Sequence, residues 1–172
     1  MSEPEPSETT NLDRYGSAVL PWSRARAALV AGSASPSVTF FLGTAGAEGT
    51  PHAAGVGGLW QDGALYFTSS PRMRKARDLA ANRACTMSVR LADIDLVLEG
   101  EATRVTDATT LERIAAQFRE GGWPAQVEGD ALTAPYSAPS AGPPPWHLYR
   151  LTPRIIAGVA TVEPYGATRW AF

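Results

Sequence analysis

The sequence has one cysteine, two histidines and no long apolar run among its 172 residues. Each scarcity excludes something. A single thiol, Cys85, excludes an internal disulfide and a cysteine-based zinc cluster. His52 and His147 lie far apart with no HxxxH pair, so no metal site is expected. No stretch of roughly 18 apolar residues exists, so no membrane-spanning helix is expected either. The formal net charge of −2 lacks the basic excess of a nucleic-acid-binding domain. No GxSxG spacing presents a hydrolase nucleophile. The first ten residues are acidic and polar, unlike a secretory leader, which points to a soluble, cytoplasmic protein.

What is present is enough for one globular core. Hydrophobic residues make up 44% and there are 16 glycines, so global disorder is excluded. Glu3, Glu5, Glu8 and Asp13 are unopposed by any base before Arg14. Residues 1–14 therefore read as a disordered acidic tail and 15–172 as a single domain. Lys75 is the only lysine, beside 14 arginines, the usage of a high-GC genome.

Periodicity predicts a mainly β chain. A helix over 24–32 is followed by strands over 38–43, 51–60 and 64–68, with Gln61-Asp62-Gly63 as a turn. Residues 71–82 change to helical spacing, with Asn82 as terminator. Strands over 85–89 and 94–105 follow; the second alternates Leu96, Leu98, Gly100 and Ala102 with Val97, Glu99, Glu101 and Thr103. Asp107 caps a helix over 108–119. Residues 121–145, holding six of the 14 prolines, read as an irregular connection, and strands over 146–151, 155–162 and 167–172 complete seven or eight. Many strands with few short helices suggest a closed or partly open barrel.

Two stretches carry chemistry. Thr68 and Ser69 leave a strand, and Arg72, Arg74, Lys75 and Arg77 crowd the first turns of the next helix. Cations there oppose the helix dipole, each by roughly 0.3–1 kcal/mol at an exposed site. Either this is a solvated basic face with Ser69 or Ser70 as an ordinary cap, or an anion such as phosphate offsets the charge; the opposed dipole favours the anion. Gly55, Gly57 and Gly58 interrupt a strand-like run. They fit a flat ring lying on bare backbone and equally a bulge or a barrel corner. Cys85 reads as an inert buried thiol, Glu99 and Glu101 as a solvated barrel exterior, and the tryptophans as core or interface.

The run Tyr66-Phe67-Thr68-Ser69, a short turn, Arg74-Lys75-Ala76, Asp78-Leu79 and Asn82-Arg83 closely resembles the phosphate-binding motif of the pyridoxamine 5′-phosphate oxidase-like family. The Gly49-Thr50-Pro51-His52 turn fits that family's opening hairpin. The resemblance covers residues 36–106 well. It implies an FMN-binding split β-barrel of six to eight mostly antiparallel strands with a few short helices. Residues 133–149 resemble a branch linked to flavin and deazaflavin oxidoreductases. By this resemblance Thr68, Ser69, Arg74 and Lys75 hold a cofactor phosphate, with Arg77 a weaker candidate. The backbone of Ala54, Gly55, Val56 and Gly57 faces the cofactor ring. A homodimer with the cofactor at its interface is implied, and Trp170 would reach the partner's site. The strand 51–60 lacks the basic phosphate ligands of true pyridoxamine-phosphate oxidases, His52 apart, and their Arg-rich C-terminal ending is missing. Vitamin B6 oxidation is therefore disfavoured. The implied activity is hydride transfer between FMN or the deazaflavin F420 and a small organic substrate, with a tilt towards F420. Two other readings share the fold: a non-catalytic FMN- or F420-binding or storage protein, and a haem-binding split barrel.

Overall fold

The computed structural model describes residues 3–33 and 35–172. Three helices, α1 (Trp22–Ser33), α2 (Arg74–Ala81) and α3 (Ala108–Glu120), punctuate eleven strands. The strands are β1 (Glu8–Asn11), β2 (Phe40–Ala45), β3 (Pro51–Val56), β4 (Leu59–Gln61), β5 (Ala64–Ser69), β6 (Ala84–Arg90), β7 (Ile94–Val105), β8 (Gln126–Glu128), β9 (Ala131–Thr133), β10 (His147–Ala160) and β11 (Ala167–Ala171). The main sheet runs β1-β11-β10-β7-β6-β2-β3, and β5 joins β10 to β4; β8 and β9 form a separate hairpin. Every pairing is antiparallel.

The split in the barrel is made by β10. Along one edge it pairs with β7 almost throughout, while along the other it pairs first with β5 (147–151) and then with β11 (155–159). The register against β7 shifts between Pro153 and Ile155. Proline has no N–H to give the ladder, so a bulge there absorbs it and bends the strand. Gly100 sits opposite, where any Cβ would collide with the Thr152 carbonyl. The sequence reading ended one strand before Pro153 and began another after it; the chain instead passes through in one strand.

Strand β5 is buried on both faces. Leu65 and Phe67 join the barrel core with Phe40, Leu42, Met87, Leu98 and Trp170. Ala64 and Tyr66 face a smaller core with Leu111, Ile114, Ala115, Leu132 and Leu148 beneath α3. Such a strand shows an unbroken apolar run rather than alternation, which is what ALYF is. Its hairpin with β4 turns on Asp62 (φ 52°) and Gly63 (φ 73°), the left-handed pair a two-residue turn requires.

Two expectations need correction. Residues 1–14 were expected to be a disordered tail. Residues 1 and 2 lie outside the described residues, but residues 8–11 form β1, paired with β11 from Glu8↔Ala171 to Asn11↔Thr168. Thr9 and Thr10 suit a pleated strand, and β11 offers an otherwise unpaired edge. Upstream, Glu3 accepts a hydrogen bond from Trp60 Nε1 (3.1 Å). The run 51–60 is likewise two strands, β3 and β4, broken at Gly57 and Gly58. A Cβ on Gly58 would stand 2.7 Å from the buried Phe40 ring, so that glycine is a close approach within the barrel wall.

Candidate functional site

A cavity of about 470 Å³ opens between the barrel and the connection that follows α3. The barrel side supplies Gly55, Val56, Gly57, Gly58 and Leu59 from the β3–β4 break, and Thr68, Ser69, Ser70 and Lys75 from the β5–α2 junction. The connection side supplies Phe118, Trp123, residues 136–138, 140 and 141, and Trp146. Residues 133–145 are thus partly a wall of the cavity.

The β5–α2 junction is built to be electropositive. Met73 is the N-cap of α2 and makes no side-chain cap hydrogen bond, so the helix's first N–H groups are not capped from within. Lys75 is partly buried, and that burial pulls its ammonium pKa below the ordinary 10.5. No carboxylate of the described residues lies within 4 Å of it. A half-desolvated cation without a counter-ion is stabilised by an anion that enters the cavity. Ser69 Oγ donates to the Ser70 carbonyl (3.1 Å), which ties down the turn.

Asp78 anchors the helix from below. It is buried and its Oδ2 accepts a hydrogen bond from Thr44 Oγ1 of β2 (2.8 Å). Arg74 Nε approaches the same oxygen at 3.7 Å. A Cβ on Gly46 would lie 2.9 Å from Asp78 Oδ1, so the β2–β3 turn closes tightly over this carboxylate.

Of the residues expected to bind cofactor, the structure brings together Gly55, Val56, Gly57, Thr68, Ser69 and Lys75 at the cavity. Four others lie elsewhere. Ala54 is on β3 but does not line it. Arg74 is 44% exposed and paired with Asp78. Arg77 sits about 200° round α2 from Lys75, and lines a separate cleft with Arg83, Arg104, His147 and Tyr149. Trp170 points inward from β11, fully buried, its ring 5.6 Å from that of Trp22. With β10 on one side of β11 and β1 on the other, Trp170 belongs to its own chain's core and not to a partner's site.

The thiol, the two histidines and the paired glutamates stay outside this cavity. Burial pushes the Cys85 thiol up to about 11, consistent with an inert thiol. His147 is shifted down, chiefly by burial and then by Arg104, and His52 lines a groove at the β2–β3 edge. Neither histidine lines the main cavity. Glu99 and Glu101 are exposed on the outer sheet face, as the alternation of β7 predicts.

Phe118, Trp123, Tyr136 and Trp146 were missed as site residues. They span 28 positions in sequence; Phe118 and Trp123 meet locally, through the Trp123 N–H to Phe118 carbonyl hydrogen bond, and Trp146 joins them as it pairs backbone to backbone with Leu132 (2.8 Å each way). For Trp123, Tyr136 and Trp146, the one available signal was the clustering of aromatic residues in and beside a proline-rich connection.

The pyridoxamine 5′-phosphate oxidase family model matches residues 30–160, from the end of α1 to the end of β10. Among solved structures, the chain is similar to a pyridoxamine 5′-phosphate oxidase-related, FMN-binding protein from Nostoc punctiforme, with 18% identity, a TM-score of 0.58 and coverage of 87% of this chain and 90% of that one. It is similar also to PhzG from Burkholderia lata in complex with tetrahydrophenazine-1-carboxylic acid, with 14% identity, a TM-score of 0.56 and coverage of 88% and 82%. A third similar structure is a NimC/NimA family protein from Clostridium acetobutylicum, with 16% identity, a TM-score of 0.57 and coverage of 87% and 91%. No curated protein matches the chain. The structural likenesses are ones of fold, and the split barrel, its β5–α2 junction and the extent of the family match agree: this chain belongs to the pyridoxamine 5′-phosphate oxidase family.

Proposed function

We propose that the protein is an oxidoreductase that binds FMN or F420 in the 470 Å³ cavity and passes a hydride between its ring and a small organic substrate. The observation that carries the reading is Lys75, a partly buried cation without a carboxylate partner, beside Thr68 and Ser69 at an uncapped helix start. The Lys75 ammonium, the Thr68 hydroxyl and the backbone N–H groups fit a phosphate, which accepts hydrogen bonds from all three, while the Ser69 hydroxyl is given to the Ser70 carbonyl. Gly57 fits the ring: a Cβ there would meet nothing within 4 Å, so the bare backbone leaves room for a flat molecule.

When bound, the ring supplies two-electron chemistry that no side chain of this protein can perform. The chain's own residues bind, orient and shield. Lys75 and the first turn of α2 fix the phosphate end. Asp78, held by Thr44, fixes the helix that carries Lys75. Leu59, Phe118 and Trp123 give the cavity apolar lining, which would hold water away from a bound ring.

A homodimer is part of this reading. Phe41 (55% exposed) and Val97 (39%) stand in one row with Ser88 and Ala157 across β2, β6, β7 and β10, on the outer face of the sheet. Phe41 also faces Gly55 on β3, so this apolar face is continuous with the cavity rim. Apolar exposure of this kind marks an interaction surface, and a second copy of the same face is self-complementary under two-fold symmetry.

The test of turnover is anaerobic. Full-length protein saturated with reduced FMN or reduced F420 is mixed with a panel of quinones and nitroaromatics. Reoxidation faster than that of the free cofactor at equal concentration supports the oxidoreductase; a rate no faster with every acceptor identifies a storage or carrier protein instead.

A further inference from the structure

We infer that the cleft on the far side of α2 is a second anion site, which takes the phosphate group of a small phosphate monoester between Arg77, Arg83 and Arg104. It shares no lining residue with the cofactor cavity, and it stands whether or not FMN or F420 binds there.

Helix α2 divides the two sites. Successive residues of a helix turn by about 100°, so Lys75 lines the cavity while Ala76, Arg77, Leu79 and Ala80 line a cleft of about 520 Å³ against the ends of β7 and β10. The floor of the cleft is apolar. Ala76, Leu79, Ala102 and Tyr149 are all buried, and the Tyr149 ring stacks on Phe67 with centroids 5.4 Å apart. A charge in the cleft therefore has low-dielectric protein on one side, which strengthens its pull on an anion.

Three of the 14 arginines line this one cleft, and no acidic residue does. Arg104 is already fixed in place: its Nη2 lies 2.8 Å from Asp130 Oδ2 and donates to the Asp130 carbonyl (3.4 Å). Both contacts use the same nitrogen, so Nε and Nη1 remain for a ligand. Arg77 and Arg83 are exposed, and among the described residues no carboxylate lies within 4 Å of either. Glu101 pairs in register with Ala84 but stands on the exposed outer face of the sheet. Asp130 offsets one of the three charges and leaves an excess of two. His147 adds a ring donor without adding charge, because burial, and after it Arg104, holds its pKa below 6.5 against the opposing pull of Asp130. Like charges gathered in one concave surface repel each other, and a bound anion relieves that repulsion. Guanidinium forks match phosphate oxygens in pairs. A phosphate monoester carries about two negative charges near neutral pH, which equals the excess, whereas a single carboxylate carries one. The apolar floor and the remaining volume leave room for its organic group.

The test is calorimetric titration of the full chain with phenyl phosphate, with phenol and inorganic phosphate as controls. It is run on Lys75→Ala beside wild type, because that change removes the cation of the cofactor cavity and leaves the cleft intact. Phenyl phosphate should bind Lys75→Ala at least about tenfold more tightly than phenol and at least about threefold more tightly than inorganic phosphate. Adding Arg77→Gln and Arg83→Gln to Lys75→Ala should weaken phenyl phosphate by about tenfold or more. In the otherwise wild-type chain, the same two arginine changes should leave FMN and F420 affinities within about twofold and the apo melting temperature within about 2 °C, as exposed sites allow. A second readout needs no variant: in wild type, the Nε–H resonances of Arg77 and Arg83 should shift on addition of phenyl phosphate. No binding to Lys75→Ala, unmoved arginine resonances, or binding that survives the arginine changes would overturn the site. Inorganic phosphate bound as tightly as phenyl phosphate would overturn the monoester. Loss of FMN or F420 binding on the arginine changes would overturn a separate site and make the cleft part of the cofactor's. Failure of both cofactors to bind wild type, with phenyl phosphate held by the arginines, would support the cleft and overturn the cofactor reading alone.

Discussion

Thr44 Oγ1 donates a 2.8 Å hydrogen bond to Asp78 Oδ2, joining β2 to the helix that carries Lys75. Both residues are buried, so the carboxylate has little water to fall back on. Thr44→Val keeps the shape and removes the donor, leaving only Arg74 at 3.7 Å. Loss of one partner of a buried charged group costs about 1–3 kcal/mol. The melting temperature should fall by roughly 2–4 °C per kcal/mol for a chain of this size, and cofactor affinity should fall with it as α2 loosens. Thermal unfolding followed by circular dichroism, with and without cofactor, checks both.

Gly57 and Gly58 are neighbours with opposite tolerances. A Cβ on Gly58 would enter the Phe40 ring at 2.7–3.0 Å, whereas one on Gly57 meets nothing. Gly58→Ala should therefore destabilise the apo-protein by about 1–3 kcal/mol, the cost of overpacking. Gly57→Ala should leave the apo melting temperature within about 1 °C, since its side chain goes into open space, yet reduce cofactor binding by narrowing the cavity. The pair separates packing from ligand contact in a single experiment.

Much of this was legible locally. Strand β7 matches its predicted bounds because inward and outward residues alternate from Ile94 to Thr103, which leaves no other register over most of its length. The Thr68, Ser69 and Lys75 cluster was legible because a strand–turn–helix junction places neighbours in sequence at one place in space. What was not legible depended on distant partners. Trp170 reads as a free C-terminal aromatic until β1 closes over β11. Arg77 reads as a phosphate ligand until helical geometry turns it away from Lys75. The three-residue strands β8 and β9 are too short to show a period, and without them Trp123 and Trp146 have no visible reason to meet.

Burial lowers the Lys75 pKa below 10.5, and the sign of the consequence differs for binding and for stability. A phosphate needs the ammonium, so cofactor affinity should decline as pH rises towards and through the depressed value. The unfolded chain, with its ordinary lysine, binds more protons across the same window. Lys75 therefore contributes a gain in apo stability between its depressed pKa and 10.5. Lys75→Arg keeps the charge throughout and should flatten the affinity decline. Dissociation constants measured between pH 7 and 10.5 for both proteins decide the matter.

The outer sheet face predicts a monomer mutant. Phe41 is 55% exposed, so Phe41→Glu leaves the barrel core untouched. It should convert a dimer to a monomer by light scattering, with little change in the circular dichroism spectrum. Cofactor affinity should fall at the same time if the ring lies beside the interface, as the contact between Phe41 and Gly55 on adjacent strands suggests.

The most direct test of the account is fluorescence titration of purified apo-protein, wild type and Lys75→Ala, with FMN and with F420. The account predicts that one of the two cofactors binds wild type at micromolar concentration or below, and that Lys75→Ala weakens it about 10- to 100-fold, the loss of one charge-assisted hydrogen bond. Binding of neither cofactor, or equal binding to wild type and Lys75→Ala, would contradict it.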